Sequence, residues 1–369
     1  MKYPLVNQSW GPEEREAILE VVDSGRLTMG SKVKDFEAEF AKYVGSKHAI
    51  MVNSGSSANL VAAAAFRYHP KAPIRDGDEA IVPAIGWSTT YSPFQNLKLK
   101  VIDVELDTLN MNVSELGSAM RVNTKLIVGV SVLGNPARLD KMREFADEHG
   151  IWFLEDNCES MGATLNGKQC GTFGDIGTYS MFFSHHLNTT EGGMIVTDND
   201  ILYELCLMLR EHGWDRCIKP DGGFYNFVVP GFNVRPTEIA GAVGLVQLKK
   251  LDKDLEVRRA NAKVFRTAFG GDERFITQRE HGNSSWFSFT MISRKDRNPF
   301  IRKMDDAGVE CRSICGGCFA EHPVADKYNW SVSGALKNAN AAHHDGWFVG
   351  NCGRDLTAEI NHLKDALWT

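Results

Sequence analysis

Three short stretches hold the residues best suited to chemistry. Ile151-Trp-Phe-Leu-Glu155-Asp156-Asn-Cys-Glu159 is an apolar run ending in carboxylates, the place where an open α/β sheet meets its ligand. A carboxylate there can pair with a protonated ring nitrogen and make that ring an electron sink; it can equally cap a helix. Met51-Val-Asn53-Ser-Gly55-Ser56-Ser57-Ala-Asn-Leu60 reads as a strand, a small polar turn and an alanine-rich helix. Such a turn offers free backbone N–H groups and hydroxyls at the positive end of a helix, which suits a phosphate. The third stretch is Ser180-Met-Phe-Phe-Ser-His185-His-Leu-Asn-Thr-Thr-Glu191-Gly-Gly. An imidazole with an unperturbed pKa near ~6.5 can carry protons at His185, although a His-His pair among eleven histidines is by itself more often structural.

The elements that position these residues follow from alternating patterns. Apolar runs predict strands at 48–52, 79–83, 99–103, 125–132, 151–155, 176–181 and 193–197. Helical spacing predicts helices at 10–23, 33–44 and 139–149, and a long one after Pro236. This alternation is that of a mostly parallel sheet covered on both faces. Residues 284–292 and 308–312 read as strand material, and 296–308 as a loop entering a helix that stops at Gly308. We expect a large domain over 1–248 and a smaller α+β domain over 249–369.

With 369 residues and 43 % hydrophobic content the chain can bury a large core, and its net charge of −6 gives no footprint for nucleic acid. No apolar run reaches the ~18 residues of a membrane span, and no signal peptide is evident, so a cytoplasmic protein is expected. Of eight cysteines, Cys311, Cys315 and Cys318 invite a zinc or iron-sulfur reading, but their spacing lacks a clear fourth ligand. Reduced, scattered thiols are the default for a cytosolic protein.

Several strings together resemble the pyridoxal phosphate (PLP)-dependent aminotransferases of nucleotide-linked keto sugars. They are Gly134-Asn-Pro136, Glu155-Asp-Asn-Cys-Glu-Ser-Met-Gly-Ala163, His212-Gly-Trp214, Pro230-Gly-Phe-Asn-Val-Arg-Pro236, Ser284-Ser-Trp-Phe287 and Phe348-Val-Gly-Asn351. In that family a serine is followed five residues later by the cofactor-binding lysine, and six residues after that by Glu-Gly-Gly. Ser180, His185 and Glu191 keep the spacing, and the lysine is replaced. A lysine amine holds the cofactor covalently and ferries protons; an imidazole can only ferry protons. The chain is therefore similar to the lysine-free deoxysugar dehydratases of the family.

The resemblance implies a type I PLP-dependent aminotransferase fold and a homodimer with the site at its interface. It implies a 3-dehydratase that uses L-glutamate to make pyridoxamine phosphate (PMP), with His185 as the proton carrier. The substrate would be a nucleotide-linked 4-keto-6-deoxyhexose, GDP and the manno configuration coming from the resemblance alone. Asp156 would face the ring nitrogen, Glu159 the ring hydroxyl and Trp87 the ring plane, though a tryptophan after a Pro-bounded strand can also be core. Ser56, Ser57 and Ser180 would hold the phosphate, and Asn233 would reach the partner's cofactor. Arg216 and Arg235, next to the motifs, are candidates for the substrate's anionic groups, as readily surface arginines. An aminotransferase, an iron-sulfur PMP-dependent dehydrase and a silent PLP-fold binding protein remain alternatives. The first needs a lysine at 185 and the second a tight cysteine cluster near Cys217. The third has no reason to keep Trp87, Asp156 and Glu191 together.

Overall fold

The computed structural model describes residues 2–6, 9–219 and 225–368; Met1, Asn7, Gln8, residues 220–224 and Thr369 lie outside it. Strands β1 (His48–Val52), β2 (Glu79–Pro83), β3 (Lys98–Ile102), β4 (Thr124–Val130) and β5 (Trp152–Asp156) alternate with helices. A small hairpin, β6 (Thr164–Leu165) and β7 (Lys168–Gln169), precedes β8 (Ile176–Ser180) and β9 (Gly193–Thr197). Every residue of β2, β8 and β9 is buried, as in strands covered on both faces. The seven strands expected from the sequence are present within two residues of their anticipated ends.

The C-terminal third adds β10 (Phe275–Thr277), β11 (Ser288–Ser293), β12 (Cys311–Arg312), β13 (Asn329–Ser333) and β14 (Gly346–Gly350). Eight strands form one sheet in the order β1-β9-β8-β5-β4-β2-β3-β13. All neighbours are parallel except those of β9, which opposes both β1 and β8. The parallel strands thus deliver their carboxyl ends to one edge, where the cleft lies.

Helices cover both faces. Gly55–Arg67 packs against β8 and β9 through buried Ala58, Val61, Ala62 and Ala65, whose small side chains let it lie close. On the other side Val33, Phe36 and Phe40 of the helix Ser31–Val44 pack with Met194, Leu251 and Leu255. A second core gathers Phe265, Phe269, Phe289, Trp347 and Leu363 around an antiparallel sheet of order β10-β11-β14-β12.

Two features differ from the sequence reading. The helix Glu238–Phe269 runs 32 residues without a break, so positions 248 and 249 share one continuous element. The chain also returns from the small unit to the large sheet through β13, which pairs with β3. The strand material at 308–312 shortens to Cys311–Arg312, and the helix Asn298–Asp306 does end before Gly308, at φ 71°. Among the described residues no helix is long and apolar enough to cross a membrane.

Candidate active site

A cleft of about 890 Å³ opens at the carboxyl ends of the parallel strands. It is lined by Ser56, Trp87, Asp156, Glu159, Ser180 and His185, residues from four separate segments of the chain, and Glu191 lies at its side. Among the described residues no lysine lines it.

Asp156 is the last residue of β5, and its carboxylate is held in place rather than left to rotate. Asn59 Nδ2 and Thr90 Oγ1 donate to its Oδ2 at 2.9 and 2.7 Å, and the Cys158 N–H donates to Oδ1 at 3.3 Å. Asn59 is fixed in turn by Thr178 Oγ1, which donates to its Oδ1 at 2.6 Å. Glu155, one residue earlier, points to the other side as strand pleating requires. It accepts backbone N–H groups of Gly171, Phe173 and Gly174, and burial raises its pKa to about 7. The two adjacent carboxylates thus separate into one structural and one cleft-facing group.

The turn at the start of helix Gly55–Arg67 is shaped by glycine. A Cβ on Gly55 would come within 2.7 Å of Ser180 Cβ and 3.1 Å of its Cα, and one on Gly193 within 2.3 Å of the Ser54 carbonyl oxygen. These contacts explain the glycines after Glu191: β9 starts directly against the turn. Ser54 caps the helix by accepting the Ser57 N–H at 3.0 Å, leaving the first N–H groups of the helix toward the cleft. Ser57 Oγ sits 3.0 Å from Ser54 Oγ inside that cap, so it is Ser56, exposed and bonded to Thr89 Oγ1 at 2.9 Å, that faces the cleft. We expect Gly55→Ala to destabilise the fold by about 1–3 kcal/mol, checked by thermal denaturation.

Trp87 is 58 % exposed, its ring projecting into the cleft from the loop after β2. Opposite lies Glu159, whose Oε2 accepts the Leu133 N–H at 2.9 Å. Burial pushes its pKa up to about 7, so it carries a proton for part of the time at neutral pH. Cys315 joins the cleft because the loop 315–318 is pinned to the end of β2 by a bridge between Ile85 and Cys318. Cys318 is buried, Cys311 lies in β12, and none of the three thiols is in a disulfide. Among the described residues no group of three His, Cys, Asp or Glu side chains can hold a metal ion.

His185 forms the wall of the cleft between Phe182 and Phe287, whose ring meets it edge-on at 5.0 Å. Burial, aided by the charge of Arg258, lowers its pKa to about 4. At neutral pH it is an uncharged imidazole able to accept a proton. His186 is a different group: its Nε2 donates to the Ser285 carbonyl at 3.1 Å, and it is buried away from the cleft.

Asn233, Arg216 and Arg235 do not line the cleft. Both arginines pair with the buried carboxylate of Glu211, Arg235 at 3.1 Å, and Arg235 Nε also donates to Asn233 Oδ1 at 3.1 Å. Arg216 and Glu211 belong to a separate groove of about 920 Å³ beside the helix Ser31–Val44, remote in character from the carboxylate-imidazole cleft. The cleft's own guanidinium is Arg312, with Glu310 beside it. These two, together with Asn59 and Thr90, were not apparent in the sequence. The only local signal for Arg312 and Glu310 was the short strand around them.

Comparison with known proteins now adds to this geometry. Residues 8–359 match the model of the DegT/DnrJ/EryC1/StrS aminotransferase family. The chain belongs to that family. Among family members, GDP-4-keto-6-deoxy-D-mannose 3-dehydratase of Escherichia coli O55:H7 is 43 % identical, with all of both chains covered. The enzyme of the same name from Yersinia pseudotuberculosis is 42 % identical over all of this chain and 98 % of its own. A crystal structure of GDP-4-keto-6-deoxymannose-3-dehydratase with a trapped PLP-glutamate geminal diamine superposes with a TM-score of 0.96 at 42 % identity, covering 99 % of this chain and 100 % of that one. The fold is accordingly the PLP-dependent aminotransferase fold of this family.

Proposed function

We propose that the protein is a PLP/PMP-dependent 3-dehydratase acting on a nucleotide-linked 4-keto-6-deoxyhexose, with GDP-4-keto-6-deoxy-D-mannose as substrate and L-glutamate as amino donor. The observation that carries this reading is a family cleft walled by a neutral imidazole, His185, and by no lysine among the described residues. It is supported by the relatives of that name and by the glutamate adduct of one of them. The product is a 3-deoxy-4-keto sugar of the kind used in colitose-type deoxysugar and O-antigen lipopolysaccharide synthesis. Glutamate leaves as 2-oxoglutarate and ammonia, its two-electron oxidation balancing the reduction at C3.

The cleft residues fit the cofactor. Asp156, oriented by Asn59 and Thr90, stands where a protonated pyridine nitrogen needs an anion. Trp87 offers its exposed face for stacking, the turn at Ser56 and Ser180 holds the phosphate, and Glu159 shares a proton with the ring hydroxyl. Bound there, the cofactor supplies an electron-poor ring that stores the electron pair left when a neighbouring C–H bond breaks. His185 takes a proton from the donor carbon and gives one up to complete the transfer. In the sugar half-reaction it takes a proton again and gives it to the departing C3 hydroxyl, which leaves as water. With no lysine amine to protonate the sugar carbon, the amino group is not retained in the product.

Arg312 is the cation for the donor carboxylate or the diphosphate. Asn233, exposed and outside its own cleft, suits a homodimer in which it reaches the partner subunit's cofactor phosphate. A cytoplasmic location follows from the supply of glutamate and nucleotide sugar.

The test is incubation with PLP, glutamate and a panel of nucleotide 4-keto-6-deoxy sugars, followed by mass spectrometry. Loss of one oxygen supports the dehydratase; replacement of the ketone by an amine overturns it. The lack of a metal-holding group among the described residues leads to a further expectation: full activity after exhaustive chelation, with no stoichiometric iron or zinc by metal analysis. Activity that vanishes with removal of bound iron would move the assignment to an iron-sulfur dehydrase.

A further inference from the structure

His185 lines two cavities. Beside the cleft is a chamber of about 220 Å³ that shares Val6, Phe183, Ser184 and His185 with it. The other walls of the chamber include His186, Asn351 and three charged residues, Asp254, Arg258 and Arg354. Arg354 is occupied by Glu359, at 2.6 Å.

Two of the walls leave polar atoms without a protein partner. His186 donates from Nε2 to the Ser285 carbonyl, which makes its Nδ1 an acceptor, and that nitrogen is buried and unbonded. Arg258 spends Nη1 on the carbonyls of Phe287 and Asn351, at 3.2 and 2.9 Å, while its Nε is buried and unbonded. Both side chains are more than nine-tenths buried, at 3 % and 6 % exposed. Buried donors and acceptors are almost always satisfied by protein or by ordered water, and a polar chamber of this size has room for several waters. Asp254 is half-buried, and its carboxyl is held above its ordinary pKa by burial.

We propose that this chamber is a water-filled proton port, through which the imidazole of His185 exchanges its proton with solvent while cofactor and substrate fill the cleft, with Asp254 as the carboxylate that passes the proton outward. The port rests on the reading of His185 as the base. In each half-reaction His185 takes one proton from carbon and gives one back, so the port needs no co-reactant and changes no stoichiometry. It decides only whether the proton given back is the one that was removed. The fixed charge of Arg258 disfavours the imidazolium, so that His185 returns to its neutral form once it has taken a proton.

The experiment uses L-glutamate deuterated at its α-carbon, in ordinary water, with the PLP-loaded enzyme. The deuterium retained at the cofactor's new methylene carbon is read by mass spectrometry after one turnover. The native enzyme should lose most of the label, and Asp254→Asn should retain several-fold more at a similar half-reaction rate. Equal retention in the two proteins overturns the port. A high-resolution crystal structure of the PLP complex gives a readout independent of turnover: ordered waters should bond His186 Nδ1 and Arg258 Nε. A dry chamber, or one filled by side chains of another subunit, also overturns it. Failure of the base assignment is separate, since His185→Asn would then still convert PLP to PMP at the native rate.

Discussion

His185→Asn should lower the rate of PMP formation from PLP and glutamate by roughly 10²–10⁴-fold, the usual contribution of a positioned acid-base group, while PLP still binds. The amide keeps much of the imidazole's shape but cannot accept a proton. Single-turnover absorbance measures the rate, and equilibrium dialysis the binding. The same residue sets the pH profile. Because burial holds its pKa at about 4, below the ordinary ~6.5, the neutral form persists as the solution is acidified. The glutamate half-reaction should therefore fall only as pH drops through about 4. An acid limb centred near 6.5 would mean that the base is a solvent-like histidine elsewhere. His186 is not that substitute, since it is buried and does not line the cleft. His185→Lys should gain a covalent, borohydride-reducible bond to PLP that the native enzyme lacks, and should lose dehydration. An amine with an ordinary pKa of about 10.4 serves a different proton transfer.

Asp156→Asn should cost on the order of 10²–10³-fold in the same half-reaction, because it removes a preorganised charge and leaves the packing nearly intact. An amide oxygen can still accept from Asn59 and Thr90, so thermal stability should change little. The loss should appear in the rate of proton removal, with PLP affinity changed far less. A variant with native rates would show that the ring nitrogen does not meet this carboxylate. Asn59→Ala, which removes one of the two side-chain bonds to Asp156 Oδ2, should give a smaller version of the same kinetic defect.

The large sheet was legible in the sequence because its strands are buried on both faces and read as apolar runs. β13 was not. Asn329-Trp-Ser-Val-Ser333 is an edge strand with polar alternation and half-buried side chains, and its partner lies far away in the chain. Asp156 and His185 stood out because each sits in a run whose pattern is local. Asn59 and Thr90 could not be found that way, since their role is a hydrogen bond to a residue 97 or 66 positions on. Ser57 shows the limit of a motif: adjacent serines look equivalent in sequence, and only the cap at Ser54 turns one of them inward. Arg216 and Arg235 were chosen by proximity along the chain, whereas the buried Glu211 draws both away from the cleft.

The pairing of β13 with β3 also makes demands on synthesis. Lys100 in β3 and Ser331 in β13 lie 231 residues apart, so at ~5–20 residues per second the ribosome takes roughly ten to fifty seconds to make the partner strand after β3 emerges. For that time an otherwise apolar strand has an open hydrogen-bonding edge, a template for pairing between nascent chains. Lys98 and Lys100 put two positive charges into its five residues. In the finished fold Lys100 is buried, its ammonium donating to the Val332 carbonyl at 3.1 Å. A charge that guards the growing chain against aggregation thus ends as a bond that fastens the last strand of the sheet.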